Sequence, residues 1–145
     1  MREFLILTVF ILTGVGCMIS GCGIKAPPVA PGKVPPPAVQ DLKGTAEGST
    51  YKLTWSIPEA SAKVRSGLAG FIVYRSKIPL SDSYCPDCPM LFERVNDISM
   101  KGQSNIEMNY VETLESGYRY TYKVITYNKK GTKSEDSNYT ALDYP

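Results

Sequence analysis

The sequence of 145 residues contains no histidine, one tryptophan and no long block of like charge. The lack of histidine excludes Ser-His-Asp and Cys-His nucleophile pairs and every metal site with an imidazole ligand. Sixteen basic and fourteen acidic residues leave a formal net charge of +2, without a basic-aromatic stripe, so nucleic acid is not an expected partner. No motif for carboxylate or lysine chemistry is recognisable. We therefore expect a protein that is not an enzyme and needs no cofactor or metal.

The sequence also lacks an apolar run long enough to span a bilayer. Its longest run, 4–13, is about half of the roughly 20 residues that a membrane-spanning helix needs. This length is typical of the apolar region of a secretory signal peptide. The run is followed by Ile19-Ser20-Gly21-Cys22, which resembles the lipobox of bacterial lipoproteins. Small residues before Cys22 fit a tight peptidase site.

The lipobox resemblance implies that residues 1–21 are removed and that Cys22 is acylated, so that the protein is held to membrane lipid. Several acyl chains would make that attachment stable. Gly23 rather than aspartate follows the cysteine, which in the lipoproteins it resembles accompanies sorting to the outer membrane. The expected location is the cell envelope, facing the periplasm. Two alternatives remain: acylation of Cys17, whose preceding residues lack the large apolar position, and an ordinary secreted protein.

Residues 22–37 form an expected lipidated N-terminus and tether. Prolines at 27, 28, 31, 35, 36 and 37 disfavour helix and central strand and favour extended polyproline II. At about 3.1 Å per residue the tether would hold a domain roughly 40 Å from the lipid.

Residues 38–145 show short runs of alternating apolar and polar residues separated by turn residues, with no sustained helical stripe. The clearest run alternates Tyr51, Leu53, Trp55 and Ile57 with polar residues. Others are Phe71-Ile72-Val73-Tyr74, the alternation 106–110 and the alternation 120–126, after which 128–131 suggests a hairpin loop. About seven such strands predict an all-β fold, a seven-stranded antiparallel β-sandwich.

Several motifs in this region resemble fibronectin type III domains, which share the immunoglobulin-like sandwich. They are Leu53-Thr54-Trp55-Ser56-Ile57-Pro58, Gly70-Phe71-Ile72-Val73-Tyr74-Arg75, and Leu114-Glu115-Ser116-Gly117-Tyr118-Arg119-Tyr120 followed by Tyr122 and Val124. The resemblance implies a core that contains Trp55, Leu114, Tyr120 and Val124. It also implies that the Tyr120 hydroxyl bonds back to upstream backbone as a tyrosine corner.

The segment 76–90 is an expected long loop that contains Cys85-Pro86-Asp87-Cys88. Pro86 and Asp87 suit the centre of a type I turn, so a disulfide between Cys85 and Cys88 is compatible with the spacing and with an oxidising compartment. Catalytic dithiol chemistry is the second interpretation, although Pro89 disfavours a helix through the motif. A zinc ion shared between two chains is the third.

We therefore expect a membrane-anchored, non-enzymatic interaction or scaffold module of the envelope, with an unidentified protein partner that binds at the 76–90 loop. One alternative is a thiol-disulfide or metal-binding envelope protein that uses Cys85 and Cys88. Another is a module that binds cell-wall carbohydrate, which requires outward-facing aromatic rings.

Overall fold

The computed structural model describes residues 34–82, 89–101 and 107–145. This part of the chain forms seven strands and one short helix. In chain order they are β1 Lys43–Glu47, β2 Thr50–Ser56, α1 Ala62–Gly67, β3 Leu68–Pro79, β4 Glu93–Ser99, β5 Glu107–Thr113, β6 Tyr118–Asn128 and β7 Thr140–Tyr144.

The strands form two sheets, one of three strands in the order β1-β2-β5 and one of four in the order β4-β3-β6-β7. Every pairing is antiparallel. This confirms the prediction of a seven-stranded antiparallel sandwich of the fibronectin type III kind. Two half-buried sheets bury their apolar faces against each other, which explains the period-two alternation along β2.

The core lies between the sheets and is rich in aromatic residues. Trp55 of β2 packs edge-on against Phe71 of β3, with ring centroids 5.7 Å apart. Tyr51 of β2 contacts Tyr122 of β6 at 5.4 Å, which joins the same two layers further along the strands. Val39 is fully buried although it precedes the first strand. The packed core of the domain therefore includes the segment that precedes β1.

Close packing of Tyr51 explains the glycine at position 44 in β1. A side-chain carbon at Gly44 would lie 1.9 Å from the Tyr51 hydroxyl oxygen, so no larger residue fits without moving the ring. The Tyr51 hydroxyl lies 3.1 Å from the Thr140 hydroxyl of β7. The ring thus reaches across the sandwich to its second sheet.

The prediction that a loop begins at Ser76 is wrong. Strand β3 continues to Pro79, and its last four residues pair with Tyr118–Thr121 of β6. Ser76 is buried although it lies on the outer face of the sheet. The loop starts at Leu80. Strand β6 is eleven residues long and supplies hydrogen-bond partners for the backbone of β3 as far as Pro79. The pattern of polar and apolar residues within β3 does not show this pairing.

The connection between β2 and β3 contains a short helix that the sequence pattern does not indicate. Residues Ala62–Gly67 form α1, which begins with the hydrogen bond from the Arg65 amide to the Ser61 carbonyl. None of its residues is buried. Because it buries no apolar face, it has no helical stripe in the sequence.

The expected hairpin loop after β6 is present, with Gly131 at φ 79° and its amide bonded to the Asn128 carbonyl. The returning chain does not resume a regular ladder at once. Instead the hydroxyl oxygens of Ser134 and Ser137 accept hydrogen bonds from the Thr126 and Val124 amides, at 3.0 and 2.9 Å. Side chains therefore replace backbone carbonyls along this stretch of β6.

Candidate functional site

The strand directions give the sandwich two distinct ends. The end where the chain enters carries the β2–β3 connection, the end of β4 and the turn after β6, and we call it the N-terminal pole. The carboxylate of Asp41, just before β1, accepts a hydrogen bond from the Ser56 amide at this end.

The opposite end carries the turn before β2, the ends of the β3–β4 loop and the turn before β6, and we call it the far pole. With twelve residues in β3, the poles lie roughly 40 Å apart.

An apolar patch lies at the far pole, where β3 ends and the chain returns to β4. Leu91 is 87% exposed, and three other apolar residues on either side of the β3–β4 loop are also exposed. We define the far-pole patch as Ile78, Leu80, Met90 and Leu91. Half of the large exposed apolar side chains among the described residues belong to this patch. Scattered apolar residues are normal on a surface, whereas exposed apolar residues grouped at one end form a candidate contact surface.

The far-pole patch has an acidic surround. Among the described residues this end carries six carboxylates against four basic groups. The acidic residues are Glu47, Asp82, Glu93, Glu112, Glu115 and Asp143, and the basic residues are Lys52, Arg75, Lys77 and Arg119. Three of the basic groups form ion pairs, such as Lys77 with Glu115 at 2.9 Å. The hydrogen bond with Glu115 raises the pKa of Lys77.

Two aromatic rings cross the outer face of the four-stranded sheet. Phe92 precedes edge strand β4 and Tyr139 precedes edge strand β7, yet their rings stack with centroids 5.8 Å apart. Because β3 and β6 separate those edges, the rings meet above the two central strands. The Lys123 ammonium, on the outer face of β6, lies 4.3 Å from the Phe92 centroid. This arrangement explains why Ser76 and Thr121 are buried on an outer face.

The stacked pair is held by charge as well as by ring contact. Lys123 donates a hydrogen bond to the Asp136 carboxylate at 2.8 Å, and the Tyr139 hydroxyl donates another at 3.0 Å. Burial acts to raise the pKa of Asp136, but these two hydrogen bonds outweigh it and the pKa is lowered. Among the described tyrosines only Tyr139 is exposed, and its ring is already stacked. The outward-facing platform that carbohydrate binding requires is therefore not supported by the described residues.

A polar network lies between the two sheets near the far pole. Arg75 of β3 forms ion pairs with Glu112 of β5 and with Glu93 of β4. The hydroxyls of Tyr110 and Tyr122 each donate a hydrogen bond to Glu112 at 3.2 Å. Burial raises the pKa of Tyr122 far above its ordinary value, against the opposing charge of Arg75. Because Arg75 and Glu112 belong to different sheets, the network joins the two layers.

The expected core residues occupy the interior of the sandwich. Trp55, Tyr120 and Val124 are at most 1% exposed, and Leu114 is 4% exposed. The Tyr120 hydroxyl accepts a hydrogen bond from the Glu115 amide at 2.9 Å and donates one to the Glu115 carbonyl at 3.0 Å. This is the bond back to upstream backbone that defines a tyrosine corner. None of the four is placed to contact a ligand.

Cys22, Cys85 and Cys88 lie outside the described residues, as does Cys17. The predicted acylation of Cys22 and the predicted disulfide therefore stay predictions, as do the dithiol and shared-zinc alternatives. Within the described ranges no three His, Cys, Asp or Glu side chains come together as a metal site. The same ranges contain no helix with the length and apolar character needed to span a membrane.

Comparison of the fold with solved structures identifies fibronectin type III domains. The third such domain of the human KIAA0343 protein matches with a TM-score of 0.57 and 18% identity, over 85% of this chain and 93% of that one. The twitchin kinase region of C. elegans, a much larger chain that includes such a domain, matches with a TM-score of 0.53 and 15% identity. It does so over 77% of this chain and 17% of its own.

The sequence matches no protein-family model, and no curated protein matches it. At identities below 20% the structural similarity establishes the fold alone. The chain is thus a β-sandwich of the fibronectin type III fold. The network at Arg75 and the stacked pair were not predicted, because each joins segments far apart in the chain. Three of the four residues of the far-pole patch, Ile78, Leu80 and Met90, lie within the 76–90 segment where a partner was expected to bind.

Proposed function

We propose that this protein is a lipid-anchored interaction module of the bacterial envelope, fixed to a membrane through Cys22 and capturing a protein partner with its far pole. One observation carries the proposal: the far-pole patch lies at the end opposite to the one where the chain enters. An anchor attached through residues 22–37 would leave that end directed away from the lipid. The partner is expected to present an apolar surface with basic residues around it, because the patch has an excess of carboxylates.

The anchor is tested by mass spectrometry of the native protein and by fractionation of cells. Acylation at Cys22 and recovery with membranes are expected. Cys22→Ser should remove the lipid and release the protein from the membrane fraction, whereas Cys17→Ser should change neither. Native protein without acyl groups, recovered outside the membrane fraction, would refute the anchor.

The docking surface is tested with a triple variant, Leu80→Ser, Met90→Ser and Leu91→Ser. All three side chains are exposed, so folding should be unaffected. Crosslinking in whole cells should yield a partner that the triple variant loses. Val111→Ser is the control, because Val111 is also an exposed apolar residue, 52% exposed, and lies on β5 of the other sheet. Retention of the partner by the triple variant, or equal loss in Val111→Ser, contradicts this assignment.

A further inference from the structure

The basic side chains of the domain fall into two groups that occupy different places. Of the thirteen in the described residues, five form ion pairs: Arg75, Lys77, Arg94, Arg119 and Lys123. The other eight form no salt bridge with a described residue: Lys43, Lys52, Lys63, Arg65, Lys101, Lys129, Lys130 and Lys133. Seven of these eight lie at the N-terminal pole, and all seven are exposed; Lys52 alone lies elsewhere.

The topology brings these seven together from separate segments. Lys63 and Arg65 lie on α1, and Lys101 follows the end of β4. Lys129 and Lys130 lie in the turn after β6, and the Lys129 amide bonds to the Gly67 carbonyl at 2.9 Å, which joins that turn to α1. Lys133 pairs with Tyr127 beside the same turn, and Lys43 opens β1. We call these seven residues the basic pole.

The acidic groups near the basic pole do not neutralise it. Five carboxylates lie at this end, against seven cations: Asp41, Glu59, Asp97, Glu107 and Glu135, of which Asp97 already pairs with Arg94. The far pole has the opposite balance, so the sandwich carries a charge asymmetry along its length although its net charge is small. Surface cations that lack partners remain available to an external anion, since no internal carboxylate has to be displaced first.

We infer that the basic pole docks on an anionic phospholipid surface and so holds the sandwich upright, with the far-pole patch directed away from the membrane. This inference deepens the proposed function, because it relies on the anchor to bring the domain near lipid. Six of the seven cations are lysines, which act as compact point charges and suit a diffuse layer of headgroups better than one bidentate anion. Each lysine near such a surface contributes about fivefold to binding.

Two exposed valines favour lipid over nucleic acid as the occupant. Val64 is exposed between Lys63 and Arg65, and Val34, 75% exposed, lies where the chain enters the same end. Apolar side chains among basic ones are typical of surfaces that rest at a membrane interface. Surfaces that bind single-stranded nucleic acid instead combine cations with exposed aromatic rings for stacking. The one exposed aromatic ring of the described residues, Tyr139, is already stacked on Phe92.

The tether sets an upper limit to the distance between domain and lipid, not a fixed height. Fully extended it would span roughly 40 Å, whereas the attraction between exposed charges extends only about 8–10 Å at physiological salt. Docking therefore requires the tether to bend. In its sequence Gly32 lies between the prolines, and the two lysines of the tether, at 25 and 33, carry the same sign of charge as the pole.

Vesicle sedimentation tests the basic pole without the anchor. The full chain with Cys22→Ser is compared on vesicles of phosphatidylcholine alone and of phosphatidylcholine mixed with phosphatidylglycerol. The apolar run 4–13 contributes to both, so the difference isolates the charge effect. Lys130→Gln should weaken the preference for the anionic vesicles about fivefold, and Lys129→Gln, Lys130→Gln and Lys133→Gln together about a hundredfold. Raised salt should abolish the preference.

Lys52→Gln is the matched control, because it removes the one unpartnered cation that lies outside the basic pole. It should change the preference by less than about twofold. An equal loss in Lys52→Gln and Lys130→Gln would show that only net charge matters and would overturn the inference. So would an unchanged preference in the triple variant, or tighter binding to a DNA duplex than to the anionic vesicles.

Orientation is measured on the native acylated chain in nanodiscs that contain a paramagnetic lipid. The amide signals of Gly67 and Gly131 should broaden more than those of Gly48 and Gly117 at the far pole. Equal broadening at both ends contradicts the upright orientation while leaving the anchor intact. Conversely, a native protein without acyl groups removes the anchor, and the vesicle preference of the Cys22→Ser chain still decides the basic pole.

Discussion

Arg75 and Glu112 form an ion pair through the interior of the sandwich, since one lies on the four-stranded sheet and the other on the three-stranded sheet. Their side chains are 21% and 10% exposed, so water screens the pair only in part. Tyr110 and Tyr122 complete the hydrogen bonding of the carboxylate. A buried pair that is satisfied in this way fixes how the two sheets face each other more than it adds net stability.

Removing one partner of this pair should be costly. Arg75→Met leaves the Glu112 carboxylate without its cation, and we expect a loss of about 2–4 kcal/mol in the free energy of unfolding. Arg75→Met combined with Glu112→Leu should recover most of that loss, because the carboxylate that remains without its cation, Glu93, is 59% exposed and solvated. Arg94→Gln, which breaks an exposed pair, should cost less than about 1 kcal/mol. Urea unfolding measures all three, and additive losses in the double variant would contradict the account.

The hydroxyl of Tyr120 should stabilise the turn before β6. Tyr120→Phe removes both hydrogen bonds to Glu115 and leaves the ring in place, so we expect a loss of about 1–3 kcal/mol. Tyr118→Phe is the control, because the Tyr118 hydroxyl has no hydrogen-bond partner among the described residues. Equal stability of the two variants in thermal or urea unfolding would show that the corner contributes nothing.

The strands with regular alternation could be predicted from sequence, because one face of each is buried. Along β2, Tyr51, Leu53 and Trp55 are buried while the residues between them are not. The far end of β3 could not be predicted in this way. Lys77 and Ile78 there follow no apolar alternation, and the strand continues because β6 supplies backbone partners more than forty positions later.

The surfaces that carry the proposals depend on topology and not on local pattern. Lys63, Lys101 and Lys130 are distant in sequence, and only the antiparallel order of the strands brings their segments to one end. In any short stretch of the sequence each of these lysines stands alone, and the net charge of the whole chain is near zero. The motifs around Trp55 and Tyr120 could be recognised because they specify the fold. Proteins with many different binding surfaces share that fold, so the motifs do not reveal the surface.

Two buried hydroxyls, one on β6 and one on the segment that follows it, should respond in opposite ways to removal. Thr126 is fully buried, and its hydroxyl oxygen has no hydrogen-bond partner among the described residues. Thr126→Val should therefore raise the free energy of unfolding by about 0.5–2 kcal/mol. Ser137→Ala should lower it by about 1–3 kcal/mol, because the Ser137 hydroxyl accepts the bond from the Val124 amide. Destabilisation by Thr126→Val, seen in urea unfolding, would show that its hydroxyl has a partner after all.

Alkaline pH should unfold the domain through Tyr122. Burial raises the pKa of its phenol in the folded state, from an ordinary value of 10.0 that the unfolded chain retains. Between the two pKa values the folded state holds a proton that the unfolded state has lost, so stability falls as pH rises. The contribution is complete below about pH 10 and decreases by about 1.4 kcal/mol per pH unit above it.

Tyr122→Phe should flatten this decline in urea midpoints measured between about pH 8 and pH 11. Tyr139→Phe should have less effect, because the Tyr139 pKa is raised chiefly by its hydrogen bond to Asp136 at the surface. An unchanged slope in Tyr122→Phe would mean that the phenol ionises in the folded state as readily as in the unfolded one.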